Sequence, residues 1–339
     1  MIDFRYHLVS IVAVFLALTI GIVVGATAFR PSVAKALNDA AKKAITQDQR
    51  ANALNAKLHN QINADNVFGS AISGYALANL LSGERVIVVT APNADGGTVT
   101  GVTSALRQAG ATVTGQVGLT SQFFTRSPAS ESALATFAQR TAPRGVSLPG
   151  SAPSGPDAGQ QAAARVLAEG LMVKDGPPTI SSAQSHSILA GFVQQGLLQL
   201  QGTVPVTGQG TMAVVVEPGS VPTPAAQAGA YGQALVWLTH DLQQAGLGSV
   251  LAGSVAGSGP GSAIDLVTGG NAPVAVSTVD DADTQIGQMI VVQALRRELD
   301  NATPGSYGVG TQSAPSPAPS TSPAMLQSPS PPPRKKNHR

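Results

Sequence analysis

The chain has 339 residues, enough for one large domain or two modest ones with a real core. Only 11% of residues are charged, Gly and Pro number 37 and 24, and cysteine is absent, which excludes disulfides, thiolate metal sites, Fe–S clusters and cysteine nucleophiles. Twenty Lys and Arg against 18 Asp and Glu give a formal charge of +2, part of it in Arg334, Lys335, Lys336 and Arg339. The body is therefore near neutral, and with 4% aromatic residues it lacks both the basic surface and the stacking platforms of a nucleic-acid binder.

Between Leu8 and Phe29 no residue is charged, and Ser10, Thr19 and Thr27 are the only polar ones. About 20 apolar residues at ~1.5 Å each cross a hydrocarbon core of ~30 Å, whereas the apolar part of a signal peptide runs to only about 7–15 residues. Length favours a retained transmembrane anchor over residues 1–30; Ala26-Thr27-Ala28, with its small-x-small pattern, leaves a cleaved signal as the alternative. Ala17, Gly21 and Gly25 recur every four residues and form a small-residue ridge on one helix face. Such ridges let transmembrane backbones approach, although Gly and Ala are also simply frequent in these helices. Arg5 precedes the segment, while Arg30, Lys35, Lys42 and Lys43 follow it, so the positive-inside rule places the remainder in the cytoplasm.

Residues 31–68 read as a polar helix. Val33, Leu37, Ala40, Ala44, Gln47, Ala51, Leu54 and Leu58 alternate by four and three, the spacing of a coiled-coil seam that would serve a homodimer or a membrane-protein partner. Val33, Leu37, Leu54 and Leu58 carry its bulk, and an amphipathic helix lying on its own domain is the competing reading. Extending the heptad backwards leaves Gly21 and Gly25 off the seam, so one straight dimer uses both faces only if the chain reorients near Pro31.

Arg85–Pro92 is a short β-branched run and a buried strand, Gly97–Gly110 has helical apolar spacing, and "ATVTGQVGL" returns as a strand. This β-α-β unit implies a parallel pair with a covering helix. A second set follows: strand Thr211–Ser220, helix Tyr231–Gly246, and strands Ser249–Gly253 and Ala272–Asp283. The fold class is thus α/β with a parallel sheet over 69–310, in two similar halves at 84–205 and 210–310 that leave an internal duplication open. Residues 142–160 form a loop, 164–200 are helices interrupted at Gly170 and at Gly176-Pro177-Pro178, and Asp283–Asp300 is the last convincing helix. Residues 311–339 are Pro/Ser-rich and cannot bury enough surface to fold.

No active site is evident, and the chain is not read as an enzyme. The loop Thr90–Thr98 fits neither G-x-G-x-x-G nor a P-loop, and a plain β-α turn accounts for it. Asp280, Asp281 and Asp283 precede a helix, where capping explains them before catalysis does, and Glu217 sits in a strand-end turn. His7, His59, His186, His240 and His338 share no metal-ligand spacing, the five Met are scattered, and there is no G-x-S-x-G elbow.

The opening "MIDFRYHLVSIVAVFLALTIGIVVG", the helix after it, "STVDDADTQIGQMIVVQALRREL" and "GSYGVG" at Gly305–Gly310 resemble the actinobacterial copper-transporter family MctB over about residues 1–310. The resemblance implies copper efflux or homeostasis at the cell envelope. It also implies an alternative, SteB-like role: a single-pass coiled-coil partner of the membrane protein SteA in cytokinesis and the control of peptidoglycan hydrolysis. No cofactor is evident from the residues, copper enters only through the resemblance, and no copper ligand carries over onto a numbered position. The resemblance further implies a single-pass protein of the cytoplasmic membrane with the α/β domain outside, against the Lys/Arg count. One transmembrane helix encloses no pore, so the residues favour an anchored scaffold over a self-contained channel.

Overall fold

A computed structural model describes residues 4–28, 30–148, 157–174, 180–200, 206–221, 225–300 and 303–317. Contacts divide the chain into two units, Met1–Ala64 and Asp65–Arg339.

The first unit contains α1 (Phe4–Ala28) and most of α2 (Arg30–Leu77). Within α1, Tyr6–Ala26 is long and apolar enough to cross a membrane. Its 21 residues span ~31 Å at ~1.5 Å each. Apolar side chains point outward all round, from Phe15 and Leu16 to Ile22 and Val23. A helix apolar on every side needs an apolar solvent or a partner. Its central hydroxyl is already satisfied, because Thr19 Oγ1 donates to the Phe15 and Leu16 carbonyls at 2.9 Å each. That removes the cost of carrying a bare O–H into hydrocarbon. Phe29, and with it the expected reorientation near Pro31, lies partly outside the described residues; Pro31 itself stands in the first turn of α2, where a missing N–H costs nothing.

The second unit is built on one seven-stranded sheet. After α2 come β1 (Arg85–Thr90), α3 (Gly96–Gln108), β2 (Thr112–Leu119), α4 (Pro128–Thr141), α5 (Ala158–Leu171) and α6 (Ser182–Gln194). Then follow β3 (Leu198–Gln199), β4 (Met212–Val216), α7 (Ala225–Ala245), β5 (Gly248–Ala252), α8 (Ala263–Thr268), β6 (Ser277–Val279), α9 (Gln285–Leu299) and β7 (Ser306–Tyr307). The strand order is β3-β2-β1-β4-β5-β6-β7, with every pair parallel except β2–β3.

The central strands are mostly apolar because helices cover both faces, and β4 is buried at all five positions. Ile87 and Val89 of β1, Ala213 and Val215 of β4, and Leu251 of β5 face one core with α4, α5, α6 and α7. Their neighbours Val86, Val88, Met212, Val214, Val216, Val250 and Ala252 face the other, with the end of α2, α3 and α9. The two β-α-β units expected at 84–205 and 210–310 therefore share a single sheet, joined by the pairing of β1 with β4.

Several boundaries differ from the sequence reading: α5 runs unbroken through Gly170, α7 begins at Ala225 and not at Tyr231, and β4 ends at Val216 and not at Ser220. The helix assigned to 31–68 continues to Leu77, whose side chain is fully buried in the domain. Gly69 lies inside it because a Cβ there would meet the Gln285 side chain at 3.1 Å. Residues 311–317, assigned to the tail, belong to the domain: Ala314 N donates to the Ser306 carbonyl at 2.8 Å, and Tyr307 bridges Ala314. The long strand expected over Ala272–Asp283 narrows to Ser277–Val279.

Candidate functional site

Parallel strands deliver their carboxyl ends to one edge of the sheet, where Glu217, Asp280 and Asp281 gather. Strand order reverses between β1 and β4, since β1 leads to β2 on one side and β4 leads to β5 on the other. In open α/β sheets that reversal marks the usual ligand crevice. Here the loops after the two strands close on each other: Ala91 N donates to the Val216 carbonyl at 2.9 Å and Gly219 N to the Asn93 carbonyl at 3.0 Å. The open space is displaced to one side, between the ends of β1 and β2, as a cavity of about 620 Å³.

On the other side stand three buried carboxylates. Glu217, the residue after β4, is 2% exposed. Burial pushes its pKa up to about 8; the Ser258 hydroxyl and the Ile264 and Ala263 amides pull the other way, and the Asp280 charge adds to the rise. Ser258 Oγ donates to Oε1 at 3.1 Å, while Oε2 has no hydrogen bond within the described residues. Gly253 makes room, because a Cβ there would run into the Glu217 side chain. Burial thus favours the protonated form of Glu217.

Asp280 is buried differently. Its Oδ1 accepts from Val309 N at 2.8 Å and Gly310 N at 3.2 Å, and its Oδ2 from Gly310 N at 3.1 Å and from the Ser313 hydroxyl. It ties the chain after β7 to the end of β6. Asp281 Oδ1 is buried without a partner, and its pKa rises to about 6, first from burial and then from the charges of Asp280 and Asp283. Capping, the role expected for this trio, falls instead to Thr284, whose side chain accepts from Gly287 N at 3.0 Å. A second cavity of about 180 Å³ borders Asp280, Asp265 and Ser258.

The other predicted residues lie elsewhere. Gly21 and Gly25 are open on α1, where an added Cβ would meet nothing within 4 Å. Ala17 is exposed on the same helix. On α2, Leu37, Leu54 and Leu58 are 66%, 56% and 47% exposed, and Ile45 and Ile62, absent from the predicted seam, are exposed beside them. The Val33 side chain lies outside the described residues. Among the described residues no group of three or more His, Cys, Asp or Glu side chains is placed to hold a metal. His186 and His240 stand on different helices, α6 and α7.

A helix of membrane-spanning length ahead of a parallel-sheet α/β domain fits a membrane-anchored protein. The chain belongs to the MctB family: the family model, described as copper transport outer membrane protein, MctB, matches residues 1–318. The copper transporter MctB of Mycobacterium tuberculosis (strain ATCC 25618 / H37Rv) is 30% identical over 314 residues, covering 91% of this chain and 97% of that protein. The copper transporter MctB of Mycobacterium leprae (strain TN) is 30% identical over 316 residues with the same coverage.

Proposed function

We propose that this chain is a copper-related protein of the cell envelope that works as an anchored scaffold and not as a self-contained channel. The observation that carries the scaffold reading is the row Leu37, Leu54 and Leu58, exposed on a 48-residue helix that follows an apolar helix of bilayer length. Leu side chains in water favour burial by ~1.5–3 kcal/mol each, so the row calls for a partner helix. A second copy of the chain, paired along Leu37–Leu58, covers the row, and Gly21 and Gly25 become its close contact in the bilayer where the chain reorients near Pro31. The copper role rests on what the relatives are named to do. In this reading the chain is anchored in the cytoplasmic membrane with the α/β domain outside, and it carries no catalytic activity of its own.

Titration of the full chain in nanodiscs against Cu(I), with a competing chelator, tests direct handling. Stoichiometric binding supports carriage by this chain. Binding no tighter than to empty nanodiscs would end that part of the reading and leave copper to a partner. The exposed Leu row equally favours the SteB-like reading, in which the coiled coil engages a membrane protein in cytokinesis and the regulation of peptidoglycan hydrolysis. Recovery of a partner that is lost in a Leu37→Asp, Leu54→Asp, Leu58→Asp variant, in cells showing no copper phenotype, would select it.

A further inference from the structure

The cavity of about 620 Å³ at the ends of β1 and β2 plays no part in the scaffold reading. Its volume lies within the ~300–1,000 Å³ typical of small-molecule sites, and strand carboxyl ends are where α/β sheets hold ligands. The character of the walls narrows the ligand. No charged and no aromatic side chain lines the cavity. Polar groups come instead from amides and hydroxyls: Asn93 on the loop after β1, Gln116 on β2 and Ser121 just beyond β2. None of these three side chains hydrogen-bonds to another described residue, so each offers donor and acceptor capacity to an incoming group.

Three ligand classes are disfavoured by the same walls. An ionised ligand would lose water without gaining a counter-charge. An anion at the nearby helix terminus would meet Asp95, whose Oδ2 already accepts from Thr98 N at 2.7 Å and from Thr98 Oγ1 at 3.0 Å. Those hydrogen bonds hold the Asp95 carboxyl below its ordinary range, so the first turn of α3 carries its own negative charge. An apolar ligand would strand the amides of Asn93 and Gln116. What remains is an uncharged molecule bearing several hydroxyl or amide groups.

We propose that this cavity binds a neutral, polyhydroxylated ligand of one or two sugar rings, hydrogen-bonded by Asn93, Gln116 and Ser121. Gly96 lines the cavity with open space beside it, since a Cβ built on it meets nothing within 4 Å, so a bulky side chain there has room to enter. Asn93 adopts φ 61°, a left-handed conformation that presents its amide from a tight turn and that glycine can also adopt.

The test uses the full chain in nanodiscs, free of glycoside detergent, with N-acetylglucosamine and maltose as neutral probes and glucuronate and glucose 6-phosphate as charged ones. Saturation-transfer NMR is expected to report binding of at least one neutral probe, with both charged probes at least tenfold weaker. Gln116→Ala and Gly96→Phe should each weaken that binding about tenfold or more. Asn93→Gly, which keeps the turn while removing the amide, should weaken it as well, and its unchanged melting temperature guards against a folding artefact. The proposal is overturned by absence of transfer to both neutral probes, by wild-type affinity in well-folded Gln116→Ala and Gly96→Phe proteins, or by tighter binding of a charged probe.

Discussion

Replacing Glu217 by Gln should stabilise the α/β domain at neutral and alkaline pH and cost it about 1 kcal/mol in acid. Glu217 carries a folded-state pKa of about 8 against an ordinary 4.5. The native state holds the proton more tightly than the unfolded chain, so stability is full below pH ~4.5 and falls as pH rises through ~8. With those two values, linkage gives a loss of roughly 3 kcal/mol by pH 7 and about 5 kcal/mol above pH 8. Gln keeps the shape and cannot ionise, but its amide nitrogen lacks a partner where Oε2 stands, at a cost of about 1 kcal/mol. A net gain of ~2 kcal/mol at pH 7 remains. Asp241 and Asp281, with pKa values of about 7 and 6, tilt the wild-type curve in the same direction, so the informative quantity is the difference between the two proteins. Trp237, the one tryptophan of the chain, lies on α7 and reports unfolding of this domain by fluorescence. Urea titrations between pH 5 and 8.5 should diverge as pH rises. Parallel curves would refute the argument that burial keeps Glu217 protonated.

Asp280→Ala should free the segment after β7. It removes the acceptor of Val309 N, Gly310 N and the Ser313 hydroxyl, costs ~2–4 kcal/mol, and should expose residues 308–314 to hydrogen exchange before the rest of the sheet. Phe192→Ala empties a fully buried ring that packs edge-to-face on Phe137 at 4.9 Å between centroids; a loss of ~3–5 kcal/mol in urea titration is expected. Ser181→Ala breaks a capping box with Gln184 at the start of α6 and should cost about 1 kcal/mol, read as a lowered melting temperature. Changing Leu37, Leu54 and Leu58 together to Asp should abolish crosslinking of membrane-bound chains while leaving Trp237 fluorescence unchanged.

The elements that were legible in the sequence carry their own signal. Arg85–Thr90 and Met212–Val216 are strands because β-branched runs bury on both faces, and Gln285–Leu299 is a helix with apolar spacing and its own Thr cap. The elements missed are short strands defined by pairing alone and a helix without a clear apolar face. Ser306–Tyr307 and Leu198–Gln199 are two-residue strands whose hydrogen bonds come from distant neighbours, and Pro128–Thr141 is too rich in Ala, Ser and Thr to show a face. The end of the domain was misplaced for the same reason, because Asp280 reaches 33 positions along the chain to hold Ser313. The apolar anchor and the exposed Leu row were visible since each lies on a single helix. The cavity was not, because Asn93, Gln116 and Gln199 meet only after the sheet forms.

The side of the membrane occupied by the α/β domain bears most directly on the account, since the charge flanking α1 favours the cytoplasm and the proposed scaffold stands outside it. The chain has no cysteine, so Asn52→Cys on α2 and Ser316→Cys beyond β7, both at exposed positions, each provide a unique label. Spheroplasts treated with a membrane-impermeant maleimide should label both positions without permeabilisation, with the full-length chain in the membrane fraction. Labelling only after permeabilisation, or a mature chain released and beginning after Ala28, would contradict an anchored scaffold outside the cytoplasmic membrane.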